Sequence, residues 1–261
     1  MTHFIDSGHV TSRHPVPLLF VHGAWHGAWC WAEHFLDYFA NRDYQAVALN
    51  LRGHGGRPAP TALNSCSIAD YVEDVEEVAD QLDALPVVIG HSMGGLIVQK
   101  YLERRPGPAG VLLASVPARG SSAFVLRWAR RHPLKIARSA VTGKSLPLVN
   151  GQGAVREMFF SETTPQDVVA RCAERLQEES SRASLDGMLL NLPKPSRVSA
   201  PIMVAGASRD GCFTVDEVRA TARSYGTEAD IFADMGHDMM LEPAWSTVAD
   251  RIDAWLTAHG L

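Results

Sequence analysis

Pro86-Val87-Val88-Ile89-Gly90-His91-Ser92-Met93-Gly94-Gly95-Leu96 is the stretch that decides the fold. Val87, Val88 and Ile89 make a short, continuous apolar run. Strands covered on both faces of a parallel sheet read this way. The run passes directly into residues 93–105, whose apolar positions recur with helical spacing. Between them, Gly90-His91-Ser92-Met93-Gly94 has the GxSxG spacing. A serine at such a strand-to-helix elbow sits in a strained turn with its hydroxyl presented at the end of the sheet. The flanking residues are glycines because side chains there would meet neighbouring backbone.

Working outward, the same kind of run recurs at 17–21, 45–49, 110–114, 201–205 and 228–232. Helical patterns lie between, near 29–41, 68–84, 215–225 and 244–258. In the second of these, Tyr71, Val72, Val75, Val78, Ala79 and Leu82 share a stripe. Ser67 precedes it as an N-cap, and acidic residues follow where the helix dipole favours them. Repeated βα units predict an α/β fold with a doubly wound, mostly parallel sheet. Residues 117–200 break the rhythm. No strand is expected there, only helical pieces near 121–140, 152–160, 165–178 and 181–191. This segment carries 13 Lys/Arg against 7 Asp/Glu, a net +6, and the remainder of the chain is −11. We read it as a helical cap over the carboxyl edge of the sheet, where α/β folds place their sites. The core is then 1–116 and 201–261.

A serine hydroxyl needs a base to act as a nucleophile. His237 lies in the loop after the last strand and before the final helix. Asp210 follows the 201–205 strand directly and would hold the imidazole's tautomer. The order Ser92, Asp210, His237 is that of α/β-hydrolases, unlike the chymotrypsin and subtilisin orders. Asp216 and Asp234 are the rival acids, and Asp238 would have to fold back to reach the His237 ring. A developing oxyanion needs two preorganised donors. The Met93 amide, at the helix start, supplies one. The Ala24 amide, in the loop after the first strand, supplies the other. Trp25 and His91 are the expected pocket walls, and Trp29 and Trp31 are expected to pack the first helix. Arg52-Gly53-His54-Gly55-Gly56-Arg57 reads as a structural loop. His22 and His26 have HxxxH spacing, but Gly23 stands where a zincin carries glutamate, so no metal is expected. Neither a dinucleotide fingerprint nor a Walker A sequence follows a strand, so no cofactor is expected.

On these residues the chain resembles the α/β-hydrolase superfamily over essentially its whole length. The loop His22-Gly23-Ala24-Trp25-His26-Gly27-Ala28-Trp29-Cys30-Trp31 resembles the plant methylesterase and hydroxynitrile lyase branch. Gly90-His91-Ser92-Met93-Gly94-Gly95 also resembles monoacylglycerol-lipase-type esterases. The resemblance implies nucleophile Ser92, acid Asp210, base His237 and oxyanion amides Ala24 and Met93. Hydroxynitrile lyases carry threonine after the loop histidine and lysine after the catalytic histidine. Gly23 and Asp238 stand there, which counts against lyase activity. Epoxide hydrolases and haloalkane dehalogenases use an aspartate nucleophile, and position 92 is serine. The expectation is a serine hydrolase cleaving a carboxylic ester of a small to medium apolar substrate through an acyl-enzyme. The same triad also serves lactone, thioester and C–C bond hydrolysis and cofactor-free oxygenase or perhydrolase chemistry. A ligand receptor on this fold is the alternative of another class.

Composition bounds the rest. The chain has 261 residues, 46 % of them apolar and 20 % charged, enough for one domain with a sizeable core. A net charge of −5 argues against general nucleic-acid binding. Cys30, Cys66, Cys172 and Cys212 have spacings that suit neither zinc nor a disulfide scaffold. No leader pattern or apolar stretch of spanning length is seen, so a cytoplasmic protein is expected. A small-molecule ester is the expected partner, and self-association as a homodimer is left open. Arg127, Arg130, Arg131, Lys135 and Arg138, with Trp128 among them, read as a solvated face docked on the acidic body. The alternative is a patch that meets an anionic substrate, an acidic lipid or an acyl carrier.

Overall fold

The computed structural model describes residues 3–261. At its centre lies a seven-stranded sheet. Its strands are β1 (Phe4–Ser7), β2 (Leu18–Val21), β3 (Ala46–Leu49), β4 (Val87–His91), β5 (Gly110–Leu113), β6 (Ile202–Ala207) and β7 (Ala229–Phe232). Their order in space is β1-β3-β2-β4-β5-β6-β7. β1 pairs antiparallel with β3, and every other pairing is parallel. All six apolar runs expected as strands are strands, with ends shifted by one or two residues. Every residue of β2 to β6 is buried, which is why these strands read as unbroken apolar runs. β1 was not expected. It is a half-exposed edge strand of four residues and has no such run.

The flanking core helices are α1 (Trp29–Ala32), α2 (Phe35–Ala40), α3 (Ile68–Ala79) and α4 (Met93–Arg104). The single helix expected over 29–41 is two, because the backbone leaves helical geometry at His34, φ −145°. Ser67 caps α3 reciprocally with Asp70. β2 lies between β3 and β4, so the strand order reverses at β2. The crevice at the carboxyl ends of β2 and β4 is where an open α/β sheet binds its ligand.

Between β5 and β6 the chain is helical, with no strand among the described residues. It forms α5 (Ser122–Arg131), α6 (Pro133–Thr142), α7 (Gln152–Phe159), α8 (Gln166–Arg175) and α9 (Ser181–Leu185), then a π-helical turn at Asp186–Leu190. The piece expected at 121–140 divides at Pro133, which opens α6 because a helix's first residue needs no donor. Buried carboxylates tie this excursion to the core. Glu179 accepts a hydrogen bond from the Tyr71 hydroxyl at 2.7 Å and lies 3.3 Å from His54 Nε2. Asp186 accepts from the Ile68 amide at 3.1 Å, serving the orphan donors that open α3. Arg127 forks onto both oxygens of Glu217 at 3.0 and 2.7 Å, docking the basic excursion on the acidic body.

After β6 come α10 (Val215–Ser224) and α11 (Trp245–Ala258). All four cysteines are free and buried. Among the described residues, no helix is long and apolar enough to cross a membrane.

Candidate active site

Ser92 stands between β4 and α4 with φ +54° and ψ −118°, a region that costs a residue with a side chain about 1–3 kcal/mol. Neighbouring backbone holds it there. Its amide donates to Leu113 O at 3.0 Å, and its carbonyl accepts from Val116 N at 3.0 Å. A Cβ at Gly90 would run into the Gly94 carbonyl, and one at Gly94 into the carbonyl of Val21. The elbow is therefore pressed against β2. The loop after β2 is equally near, since a Cβ on Gly23 would lie 2.9 Å from Ser92 Cβ.

Asp210 and His237 meet from the loops that follow β6 and β7. His237 Nδ1 lies 2.9 Å from each Asp210 oxygen, and both side chains are shielded from solvent. Amides of Cys212 and Phe213 donate to Asp210 Oδ1 at 2.6 and 3.0 Å. Burial by itself would lower the His237 pKa. The charge and hydrogen bond of Asp210, together with the neighbouring Cys212, outweigh it and hold the ring well above its ordinary value. The rival acids are elsewhere: Asp216 is exposed, and Asp234 pairs with Arg209 at the surface. The His237 loop is itself fixed. Buried Glu242 accepts from the Gly236 amide at 3.0 Å, from the Ser161 amide and hydroxyl at 2.6 and 2.8 Å, and from Thr164 Oγ1 at 2.8 Å.

A second buried network lies beside the first, and sequence reasoning missed it. Asp238 does not fold back on His237; its Oδ2 lies 3.0 Å from His26 Nε2. His26 Nδ1 is 2.8 Å from the Ala24 carbonyl, so both ring nitrogens face acceptors. Burial raises the Asp238 pKa, and the facing His26, with His91 and His237 nearby, more than reverses this, leaving it below its ordinary value. His91 donates from Nε2 to the His237 carbonyl at 3.0 Å. Its burial, with His237 nearby, pushes its pKa down to about 3, so the ring is neutral. The HxxxH spacing was the available signal for His26. Nothing local pairs it with a residue 212 positions on.

A cavity of about 560 Å³ lies over Ser92. Ala24, Trp25, Ser92 and Met93 contribute to its lining from the core side, and Phe124, Ile136 and Met188 from the excursion. Among the described residues, no Lys, Arg, Asp or Glu lines it; its polar side chains are serines and Cys212. Trp25 lines it, fixed by an Nε1–H bond to Ser145 Oγ at 2.9 Å. His91, expected in the wall, is not there: it stands behind His237, with its ring 4.7 Å from the His237 ring. Trp31 packs on Phe20 and Phe35, and Trp29 stacks on His26, away from the cavity. Arg52 and Arg57 both pair with buried Asp74 and hold their loop. Among the described residues, neither the Ala24 amide nor the Met93 amide meets a protein acceptor, and no hydrogen bond joins Ser92 to His237.

Among the described residues, three clusters gather metal-type ligands: His26–Cys172–Asp238, His91–His237–Asp238 and Asp210–Cys212–His237. The first is held by the His26–Asp238 bond and by Cys172 Sγ, which donates to Asp238 Oδ2 at 3.8 Å, and the third by the Asp210 bonds already described. The second shares Asp238 with the His26 pair.

This fold and site define a class, and sequence comparison names it. Residues 18–251 match the model of the Alpha/beta hydrolase family, and the chain belongs to that family. It is 26 % identical over 242 residues to a monoacylglycerol lipase of Mycolicibacterium smegmatis, covering 87 % of this chain and 83 % of that one. It is 25 % identical over 271 residues to esterase PIR7B of Oryza sativa subsp. japonica, covering 95 % and 85 %. The solved monoacylglycerol lipase of Paleococcus ferrophilus superposes with a TM-score of 0.74 at 18 % identity, covering 98 % of both chains.

Proposed function

We propose that this protein is a serine hydrolase that cleaves neutral carboxylic esters of small to medium apolar substrates through an acyl-enzyme. The observation that carries this reading is the buried Asp210–His237 pair beside a cavity floored by strained Ser92. Asp210 holds Nδ1 of His237, which leaves Nε2 to take the Ser92 proton. That last bond forms as substrate enters, since catalytic hydrogen bonds tighten in the bound complex. Ser92 Oγ attacks the ester carbonyl. The amides of Ala24 and Met93, without protein acceptors, receive the oxyanion. His237 then gives its proton to the leaving alcohol and activates water for deacylation.

Residues 117–200 act as the cap, and their apolar inner wall selects the acyl and alcohol groups. A charge-free lining favours an uncharged substrate, because a buried charge there would have no partner. The esterase and lipase relatives support ester bonds as the target. The test is the burst of p-nitrophenol from p-nitrophenyl acyl esters of graded length. Wild type should show a stoichiometric burst, and Ser92→Ala should show none. A folded wild-type protein with no burst on any ester would overturn the reading.

A further inference from the structure

The outer face of the helical excursion is unlike the rest of the surface. In α5, Ser121, Phe124, Val125 and Trp128 form the inward stripe, with its first residue in the N-cap. In α6, Ile136, Ser139 and Ala140, with Gly143 in the C-cap, form another and line the cavity. The opposite faces carry large apolar side chains in the open. Leu134 is 84 % exposed, Val141 87 % and Leu126 52 %. Leu189 and Leu190 are also exposed, in the π-helical turn whose Met188 carbonyl accepts from Ser122 beside α5. Isolated exposed leucines need no explanation, but a group of them on two consecutive helices marks an interaction surface.

Basic residues alternate with these leucines. Arg130, Lys135, Arg138 and Lys144 have no acidic partner among the described residues, whereas Arg127 is already committed to Glu217. Leu134, Arg138 and Val141 lie on one face of α6 at positions i, i+4 and i+7. Apolar side chains flanked by unpaired cations on an amphipathic helix suit a membrane surface with anionic headgroups. The cavity rim is here too: exposed Ala140 of α6 and exposed Ser184 and Leu185 of α9 line the mouth.

We propose that α5 and α6 dock on the surface of an anionic lipid bilayer and set the mouth of the cavity against it. The occupant is anionic for a reason of charge. The excursion is +6 and the rest of the chain −11, so an anionic surface attracts this face and repels the body. Leu134 and Val141 enter the interfacial layer, and the cations meet the headgroups. The proposal rests on the esterase reading only for its consequence, that apolar ester reaches Ser92 from the lipid side without crossing water.

Binding is tested on the Ser92→Ala protein, so that chemistry plays no part. The protein is sedimented with vesicles of equimolar phosphatidylcholine and phosphatidylglycerol, and with vesicles of phosphatidylcholine alone. Binding is expected only to the anionic vesicles and should weaken steeply with salt. Neutralising Lys135 and Arg138 to alanine should lower the vesicle partition constant about 30-fold. Leu134→Ser with Val141→Ser should lower it as well. None of these side chains lines the cavity, so in the Ser92 protein both double variants should hydrolyse a soluble short-chain ester unchanged. Binding that is absent, or indifferent to both pairs, overturns the proposal. So does a wild-type dimer that Leu134→Ser and Val141→Ser split into monomers, which would assign the face to a second copy. Vesicle binding without hydrolysis would leave this proposal standing and overturn only the esterase reading.

Discussion

Asp238 meets His26 at 3.0 Å, with both side chains sealed from water, one residue past His237. The pair joins two loops that the proposed chemistry needs together. His26 donates from Nδ1 to the Ala24 carbonyl, so it steadies the loop carrying one of the amides proposed to receive the oxyanion. Asp238 belongs to the loop that carries the base.

Replacing Asp238 with asparagine keeps the shape and removes the charge. Removing one partner of a buried, charge-assisted hydrogen-bonded pair costs about 3 kcal/mol, because the other group stays buried without its compensation. Asp238→Asn should therefore lose about 3 kcal/mol in urea unfolding. Its kcat should fall while KM for short esters stays near wild type. An unchanged unfolding midpoint would show that the Asp238 charge contributes nothing to holding the two loops together.

The pH profile of kcat/KM follows from His237. In the proposed chemistry only the neutral ring can accept the serine proton, and Asp210, with Cys212 beside it, holds the ring protonated to higher pH than usual. Activity should rise with pH through an apparent value above 6.5, the ordinary histidine figure of about 6.5 being the reference. Asp210→Asn should shift that limb downward and reduce kcat by about 10⁴-fold. Rate measurements on a soluble ester from pH 5 to 9 would read both, roughly the range in which histidine switches.

Stability has its own pH dependence, of opposite sign for different rings. His22 and His91 are held neutral by burial, His91 with a pKa of about 3. Unfolding frees them to bind protons below about 6.5, so the stability they allow is present above that pH and is lost as pH falls. The raised His237 works the other way: its contribution is present below about 6.5 and is lost as pH rises through its folded value. His91→Gln keeps a donor for the His237 carbonyl. It should remove up to about 1.4 kcal/mol per pH unit from the slope of stability between pH 6 and 4. Urea midpoints at several pH values would test this.

The neutral cavity predicts selectivity. An ester bearing a carboxylate on its acyl tail should react about 100-fold more slowly than the matching methyl-ended ester, since none of the described residues lining the wall is a cation. Ile136→Trp, which intrudes from α6, should shorten the best acyl chain. A series of p-nitrophenyl esters measured with both proteins would show the shift or its absence.

How much of this was legible depended on range. β4, the elbow and α4 are contiguous, so one short stretch disclosed them. The strands were legible because burial on both faces leaves nothing but apolar residues. β1 was not, because half of its four residues face water. The split at Pro133 could have been read from the missing donor alone. Asp210 and His237 could be placed because each follows a strand, and strand ends converge on one edge of a parallel sheet. The links of His26 to Asp238, Tyr71 to Glu179 and Ser161 to Glu242 were hidden. Each joins a polar residue to another across a long reach of chain, and no periodicity records such a partnership.

The connection between β5 and β6 has a consequence for divergence. Two adjacent parallel strands require only a crossover of a dozen or so residues, and residues 114–201 far exceed that. The closure cost of such a loop grows only with the logarithm of its length, so lengthening or shortening it disturbs the sheet little. A lineage can therefore rewrite this roof while keeping Ser92, Asp210 and His237 in place. The replacement must still present acceptors to the Tyr71 hydroxyl and the Ile68 amide, where Glu179 and Asp186 now stand. Those two groups on α3 act as a socket for interchangeable roofs, and they set the terms on which new substrates can be tried.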